Sequence, residues 1–419
     1  MEQEYIARAE QIMQRIQQLA AISEDERGVT RTFGTPAFLE GRNLVQTWME
    51  AAGLLTRVDG IGNLRARLES RNPDAKTFVL ASHIDTVVNA GKFDGPLGVL
   101  MGLDLLEQLM AHRADLPFHI ELIAFSDEEG VRFHTTYLGS EVVTGAFDHA
   151  LLARRDEAGV TLDQALTTMG GDASQVALDA IPAAEWLGYF EMHIEQGPVL
   201  WERNVPVALV TAIAGQQRVE LVFRGMAGHA GTVPMNMRQD ALCAAAEFVL
   251  TAEQFAQAHG QGLVATVGKL SISNSASNVI PGEVTCTLDL RSANQAQLAD
   301  AYKALLSFAE GLAAQRNVAL EWRLVQQTGP VACSQPLNDL LAQAIREAGH
   351  ETIQLVSGAG HDAVPVSIVA PATMMFIRCY KGISHNPLED VELPDLAAAI
   401  AVADRFISQL RMRNESTSC

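Results

Sequence analysis

The chain has 419 residues, 48% of them apolar, and a formal net charge of −20. A chain of this length exceeds the usual size of one hydrophobic core, so two domains are expected. The acidic charge argues against nucleic acid and anionic membranes as partners, because both require a basic surface.

The N-terminus and the cysteines predict a protein of the cytoplasm. Residues 1–6 contain neither the basic segment nor the apolar run of a signal peptide. No apolar run approaches the roughly 18 residues of a membrane-spanning helix. The cysteines lack CxxC spacing and indicate reduced thiols rather than a disulfide framework or a thiolate zinc site. They are Cys243, Cys286, Cys333, Cys379 and Cys419.

The N-terminal part of the chain predicts helices that alternate with short strands. A helix with one apolar face comes first. Thr35 can cap a second helix, which has Pro36 in its first turn and Gly53 after its end. Apolar runs at 78–81 and 120–125 then flank a further helical stretch. This alternation predicts an α/β sheet, in which ligands bind at the carboxyl ends of strands.

From residue 215 onward the pattern is that of a smaller domain. Residues 218–224 and 284–290 alternate between apolar and polar side chains, as in strands with one polar face. Helical stretches at 238–252 and 295–314 accompany them. We therefore expect an inserted α+β domain over 215–329.

The α/β pattern returns after this insertion. Its predicted elements are a helix at 336–348, a strand at 373–377 and a final helix from about Pro394. The main domain is therefore expected to be discontinuous, covering 1–214 and 330–419.

Two adjacent acidic residues, Glu128 and Glu129, follow the apolar run at 120–125. Like charges at adjacent positions repel, and a cation beside them would explain their placement. His83 follows the earlier apolar run, and Asp94 lies next to a glycine between the two. A histidine, an aspartate and a glutamate pair at strand ends or in loops are typical of metal ligands with a general base.

Each of these motifs is weak when taken alone. His83 could be a structural histidine, Asp94 a turn residue and the glutamate pair part of a solvated loop. His193 and His385 add two further histidine-containing loops. Five such loops in one acidic, cysteine-poor chain favour a shared site.

The ordered motifs resemble a dinuclear metallopeptidase family that includes aminoacylases, glutamate carboxypeptidases and N-carbamoyl amidohydrolases. They extend from about residue 28 to 410 and read SHIDT, GKFDGPLG, SDEEG, EMHIEQGP, GHAGTVPM, SNVIPG, LDLR, SGAGHDA and GISHNP. His193 stands where the peptidase branch has an acidic ligand, so the resemblance is to the carbamoyl-amidohydrolase branch. Three segments, which begin at Ser126, Gly228 and Ser357, look most like allantoate amidohydrolases.

This resemblance implies a metallopeptidase-like α/β catalytic domain, with a mixed sheet flanked by helices, and an inserted α+β domain that serves as lid and dimerisation domain. It also implies two divalent ions per subunit. Asp94 would bridge the ions, His83 and His193 would complete one ligand set, and Glu129 and His385 would complete the other. Carboxylate and imidazole ligands suit zinc, manganese or cobalt, so Mn²⁺ and Zn²⁺ both stay open.

The resemblance assigns catalytic roles to three further residues. Glu128 would take a proton from the attacking water and pass it to the departing nitrogen. Asp85 would orient the His83 imidazole. His229 would stabilise the oxyanion in the site of the neighbouring subunit, which implies a homodimer.

The substrate contacts are assigned in the same way. Arg291 and Asn278 would hold a substrate carboxylate, although a surface salt bridge is the alternative for Arg291. The remaining predicted contacts to ureido or carboxylate groups are Gln196, Gln217 and Gly360. His361 and Asp362 are expected to support the pocket rather than to bind metal, because five ligands already fill the dinuclear pattern.

The implied reaction is metal-dependent hydrolysis of a ureido C–N bond in a small carboxylate. Allantoate is the first expected substrate, giving ureidoglycine, ammonia and carbon dioxide in purine catabolism. N-carbamoyl-L-amino acids are the alternative, because their hydrolysis would use the same groups. A dipeptidase is disfavoured by His193, and a metal-free binding protein is disfavoured by the retention of all five ligand positions and Glu128.

Overall fold

The structure, a computed structural model, describes residues 2–260 and 262–417. The chain divides into two compact units. Unit 1 contains residues 1–211, 333–355 and 361–419, and unit 2 contains residues 212–332 and 356–360.

Helices and strands alternate through most of the chain. The helices are α1 (Glu2–Ala20), α2 (Pro36–Ala51), α3 (Pro96–Leu109), α4 (Leu138–Thr144), α5 (Leu162–Thr168), α6 (Val199–Arg203), α7 (Ala241–His259), α8 (Gln295–Gln315), α9 (Gln335–Glu347), α10 (Ala363–Val369) and α11 (Leu393–Thr417). The strands are β1 (Leu55–Val58), β2 (Leu64–Leu68), β3 (Thr77–His83), β4 (His119–Phe125), β5 (Trp186–Ile194), β6 (Val207–Ile213), β7 (Gly215–Arg224), β8 (Gly228–His229), β9 (Val264–Thr266), β10 (Leu270–Ile272), β11 (Val279–Ile280), β12 (Glu283–Ser292), β13 (Ala319–Thr328), β14 (Val331–Ala332), β15 (Gln354–Ser357) and β16 (Ala372–Ile377).

Unit 1 is built on a mixed sheet with the strand order β1-β2-β4-β3-β5-β16-β6. The four strands β4, β3, β5 and β16 are parallel to their neighbours within this group, whereas β1, β2 and β6 run antiparallel to theirs. Parallel strands place their carboxyl ends at one edge of a sheet. The predicted mixed α/β sheet is confirmed.

The central strands are apolar and fully buried because helices cover them. Every residue of β3 and β4 is buried, as is typical of parallel strands with both faces covered. Helices α1, α9 and α11 pack together, and α3 contacts β3, β4 and β5. The Phe406 ring of α11 lies 4.6 Å from the Phe190 ring of β5. This packing fixes the strand ends on which the candidate site depends.

Helix α2 begins and ends as the sequence predicts. The Thr35 hydroxyl accepts a hydrogen bond from the Phe38 N–H at 3.3 Å, and Pro36 is the first helical residue. Gly53, after the helix, has φ +80°, a conformation that glycine adopts without strain.

Unit 2 contains an antiparallel sheet with the strand order β10-β12-β7-β13, in which β9 also pairs with β12. The apolar residues of β7 and β12 are buried with α7 and α8. The predicted alternation is confirmed, because Val219, Leu221 and Phe223 are buried on β7, as are Leu288 and Leu290 on β12.

The helices and the cysteines have one further feature each. Within the described residues, no helix has both the length and the apolar character needed to cross a membrane. The four cysteines in the described part of the chain are free thiols, and Cys419 lies outside it.

Candidate metal centre

The predicted ligands of unit 1 meet at the carboxyl edge of its sheet. His83 is the last residue of β3, and His193 lies near the end of the adjacent strand β5. Glu129 follows β4, and His385 follows β16. Asp94 lies in the loop between β3 and α3. The parallel strands thus bring together residues that are far apart in sequence.

The Asp94 carboxylate stands between two groups of side chains. Its Oδ1 atom is 3.1 Å from His193 Nε2 and 3.7 Å from His83 Nε2. Its Oδ2 atom is 3.1 Å from His385 Nε2, which in turn is 3.6 Å from Glu129 Oε1. In each group, the atoms that could hold a metal ion lie within 4.8 Å of one another. One carboxylate therefore serves two potential cation sites.

Gly95 allows Asp94 to approach His83 this closely. Its φ is +83°, and a Cβ atom at this position would collide with the His83 ring. Helix α3 begins immediately afterwards at Pro96, so the turn is fixed on one side by a regular element. Glycine is required here by both conformation and space.

Asp85 connects the His83 loop to the two glutamates. Its carboxylate accepts the N–H groups of Glu128 and Glu129, each at 3.1 Å. Its Oδ1 atom also lies 3.4 Å from His83 Nδ1, and the Asp85 carbonyl oxygen lies 3.1 Å from that nitrogen. Asp85 thus contacts the imidazole, and it also fixes the backbone of the glutamate pair.

The buried carboxyl groups have perturbed pKa values. Burial raises the pKa of Glu128 well above its usual range, and burial together with Asp94 raises that of Glu129 to about 7. Burial would also raise the pKa of Asp94, but hydrogen bonds from His193, His385 and His83 hold it well below its usual range. Buried carboxylates are costly unless a cation compensates them.

This donor set fits a pair of divalent ions. It combines three imidazoles with carboxylates, which are ligands that zinc and manganese accept. His83, Asp94 and His193 could hold one ion, and Asp94, Glu129 and His385 could hold a second. The ion charges would also offset the buried acidic groups.

Three further side chains hold Asp94 and were not predicted in this role. Gln196, predicted as a substrate contact, donates from Nε2 to Asp94 Oδ2 at 2.8 Å. Ser384 Oγ lies 3.0 Å from the same oxygen and 3.1 Å from Glu389 Oε2. Glu389 Oε1 accepts the backbone N–H groups of Phe93 and Asp94. Glu389 lies 295 positions from Asp94, so no local sequence signal links the two.

His361 and Asp362 are both buried, and His361 packs against His193. The His361 ring centre is 4.6 Å from that of His193, and burial holds the pKa of His361 well below its usual range. Asp362 Oδ1 accepts the Ser140 hydroxyl at 2.5 Å. Neither residue belongs to a group of described residues that could hold a metal ion. The supporting role expected of both residues stays a prediction.

In unit 2, a short ribbon places His229 beside Asn278. His229 of β8 pairs with Val279 of β11, and the Asn278 carbonyl accepts the N–H of Ala230. The His229 side chain is exposed, and its Nδ1 atom accepts the Gly231 N–H at 3.1 Å. With Nδ1 accepting this hydrogen bond, Nε2 is the ring nitrogen left to donate.

Arg291, also in unit 2, forms a salt bridge on its own strand. Its Nε and Nη2 atoms donate to the two Asp289 oxygens at 2.8 and 3.1 Å, and Nη1 donates to the Gly358 carbonyl at 2.6 Å. A salt bridge was the alternative interpretation of Arg291, and its substrate-binding role stays a prediction. Gln217 is buried on β7, and Gly360 is half-buried.

The chain belongs to the peptidase family M20/M25/M40, whose model matches residues 79–409. This family is metal-dependent, which agrees with the donor set at the sheet edge. The family predicted from the motifs is therefore confirmed.

The similar proteins are amidohydrolases. The chain is 37% identical to an allantoate deiminase 2 of Glycine max, over 94% of this chain and 88% of that protein. It is also 37% identical to an N-carbamoyl-L-amino acid amidohydrolase of Geobacillus stearothermophilus, over 96% and 98%. A crystal structure of a hydantoinase/carbamoylase family amidase from Burkholderia multivorans matches with a TM-score of 0.90 and 32% identity, over 96% of this chain and 98% of that chain. The predicted carbamoyl-amidohydrolase branch is confirmed.

Proposed function

We propose that this protein hydrolyses a ureido C–N bond of allantoate in the cytoplasm. Water is consumed, and ureidoglycine, ammonia and carbon dioxide are released. The observation that carries the proposal is the Asp94 carboxylate, whose two oxygens face separate groups of potential ligands. The similarity to an allantoate deiminase over 94% of the chain supports this choice of substrate.

Two divalent ions, Mn²⁺ or Zn²⁺, are part of this proposal. His83, Asp94 and His193 would hold one ion, and Asp94, Glu129 and His385 would hold the other. When bound, such ions lower the pKa of water and polarise a carbonyl group.

Glu128 is the proposed general base and acid. It is buried beside the ligand groups, and Asp85 fixes its backbone. Its carboxylate would take a proton from the attacking water and deliver it to the departing nitrogen. Both glutamates are grouped with His83, but only Glu129 is also grouped with Asp94 and His385, so we assign Glu129 to the metal and Glu128 to proton transfer.

His229 is the proposed donor to the oxyanion, acting in the neighbouring subunit of a homodimer. Its Nδ1 accepts the Gly231 N–H, which leaves Nε2–H to donate. The inserted domain, 215–329, would be the lid and dimerisation domain of the catalytic domain formed by 1–214 and 330–419.

The remaining proposed roles concern substrate binding. Arg291 and Asn278 would hold the carboxylate, and Asp289 would keep the Arg291 guanidinium in place until substrate arrives. The proposed contacts to ureido or carboxylate groups are Gln196, Gln217 and Gly360.

Hydrolysis of N-carbamoyl-L-amino acids is the second candidate. It is favoured by the similarity to the Geobacillus stearothermophilus protein, which matches at the same identity and over 98% of its length. Both candidate substrates carry the ureido group that is hydrolysed. They differ in another substituent of the carbon atom that bears the carboxylate.

One comparison of substrates tests the proposal. The ratio kcat/KM would be measured for allantoate, for a series of N-carbamoyl-L-amino acids and for a dipeptide, on metal-loaded protein. We expect allantoate to have the highest value and the dipeptide to be inert. A higher value for an N-carbamoyl amino acid would select the second candidate, and cleavage of the dipeptide alone would overturn both.

A further inference from the structure

Glu389 is a buried carboxyl group that no proposed ligand or catalytic role uses. Its exposed fraction is 2%. It lies in the loop between β16 and α11, which also carries His385. The residue therefore belongs to one ligand-bearing loop while its hydrogen bonds reach another.

The contacts of Glu389 are directed at Asp94. One oxygen, Oε1, accepts the N–H of Phe93 at 2.7 Å and the N–H of Asp94 at 3.1 Å. The other oxygen, Oε2, is 3.1 Å from Ser384 Oγ, and that hydroxyl is 3.0 Å from Asp94 Oδ2. Glu389 thus contacts both the backbone of Asp94 and, through Ser384, its side chain.

The surrounding chain leaves room for this arrangement. A Cβ atom at position 91 would collide with the Glu389 side chain, so Gly91 is needed for the two loops to approach. The next residue of the loop, Asp390, is exposed instead and lies 3.8 Å from Lys92. Two adjacent acidic residues therefore have different surroundings, which supplies a matched control.

We propose that Glu389 is a positioning residue that holds Asp94 with its two oxygens directed at separate ligand groups. The inference rests on the proposed metal pair and is independent of which ureido substrate is used. Metal ligands are commonly oriented by such hydrogen-bonded partners, and removing a partner typically weakens metal affinity by about 10- to 100-fold. Ser384 contacts Asp94 Oδ2, which is the oxygen near His385. The loss of affinity should therefore be larger for the ion that Glu129 and His385 would hold.

Zn²⁺ affinity is the measurement that tests this role. Metal-free full-length protein would be titrated with Zn²⁺ in competition with a chromophoric chelator, and stepwise affinities would be derived. We expect Glu389→Ala to weaken at least one of the two binding steps by about 10- to 100-fold. Asp390→Ala, the neighbouring control, should bind Zn²⁺ as the wild type does.

Glu389→Gln separates hydrogen bonding from charge. Its amide oxygen can still accept both N–H groups, and its NH₂ group can donate to Ser384 Oγ, whose proton then points to Asp94. We therefore expect its Zn²⁺ affinity to stay within about threefold of the wild type, well inside the loss that a missing partner causes. A loss as large as that of Glu389→Ala would overturn the positioning role.

The remaining outcomes also decide the question. Wild-type affinity in Glu389→Ala would overturn the inference while leaving the proposed function intact. If Glu389→Ala does not fold, Ser384→Ala decides instead, with weaker Zn²⁺ binding supporting the inference and wild-type binding overturning it. Absence of Zn²⁺ binding in the wild type would overturn both the inference and the proposed metal pair. Thermal unfolding of the metal-free variants shows whether each one is folded.

Discussion

Adjacent glutamates can have different roles because one carboxylate fixes their backbone. Asp85 accepts both N–H groups of Glu128 and Glu129, which sets the direction in which each side chain leaves the loop. Both glutamates are grouped with His83, and only Glu129 is also grouped with Asp94 and His385. A repulsive pair in the sequence becomes one candidate ligand and one candidate base.

Glu128→Gln tests this division of roles. The amide cannot accept the proton from water, so we expect turnover to fall by about 10²- to 10⁴-fold. Metal content should stay at the wild-type level, as measured by elemental analysis together with ammonia release. The matched variant Glu129→Gln should instead lose bound metal. If Glu128→Gln loses the metal, the two roles have been assigned the wrong way round.

The sequence indicates residues whose chemistry is local to a motif and misses those defined by distant contacts. His83 and the glutamate pair stand out because each follows an apolar run. Glu389 has no such signal, since its partners lie in a loop near the start of α3. The pairing of Arg291 with Asp289, two positions earlier on the same strand, was likewise not specified by the sequence. Such a pairing depends on side-chain conformation, which composition and spacing do not specify.

At the scale of elements, five strands with apolar or alternating runs were predicted, whereas β6 was not predicted although its run is apolar. The runs that became β3, β4, β7, β12 and β16 are apolar or alternate regularly. Strand β5 carries the buried polar residues Glu191 and His193, which interrupt its apolar run. Strand β13 has no fully buried residue, and its alternation between exposed and half-buried positions is interrupted at a register shift between Leu324 and Gln326. Tertiary pairing, rather than local pattern, determines these two strands.

Helix α4 contains a glutamate that should make stability depend on pH. Burial, together with Asp148, raises the pKa of Glu141 to about 7 from its ordinary value of 4.5. The folded state therefore holds this proton more tightly than the unfolded state, and stability is lost as pH rises from about 4.5 to 7. Glu141→Gln should unfold at higher urea concentration than the wild type at pH 8.

The expected size of this effect is modest. The side chain is partly exposed, so screening should reduce the gain to about 1 kcal/mol at pH 8, and the gain should vanish near pH 4.5. Glu40→Gln, an exposed substitution on α2, should show the same change at both pH values. A gain for Glu141→Gln that is equal at both pH values would contradict the assignment.

At the scale of the whole molecule, the proposal requires two chains for each active site. His229 lies in unit 2, and the candidate ligands lie in unit 1. Co-expression of His229→Ala and Glu128→Ala chains with different tags tests whether the site is shared. In a twofold dimer with random pairing, half of the dimers are mixed and each has one intact site, so about a quarter of wild-type activity is expected. Inactivity of the purified mixed dimer would place His229 and Glu128 in the same chain's site.

Ammonia release from allantoate before and after metal removal is the most direct test of metal-dependent ureido hydrolysis. Chelator-treated protein should be inactive, and Mn²⁺ or Zn²⁺ should restore ammonia release in the wild type but not in Glu128→Gln. Release that persists in protein shown to be metal-free would contradict the proposed function. Failure of the metal-loaded protein to release ammonia from either allantoate or any N-carbamoyl-L-amino acid would contradict it as well.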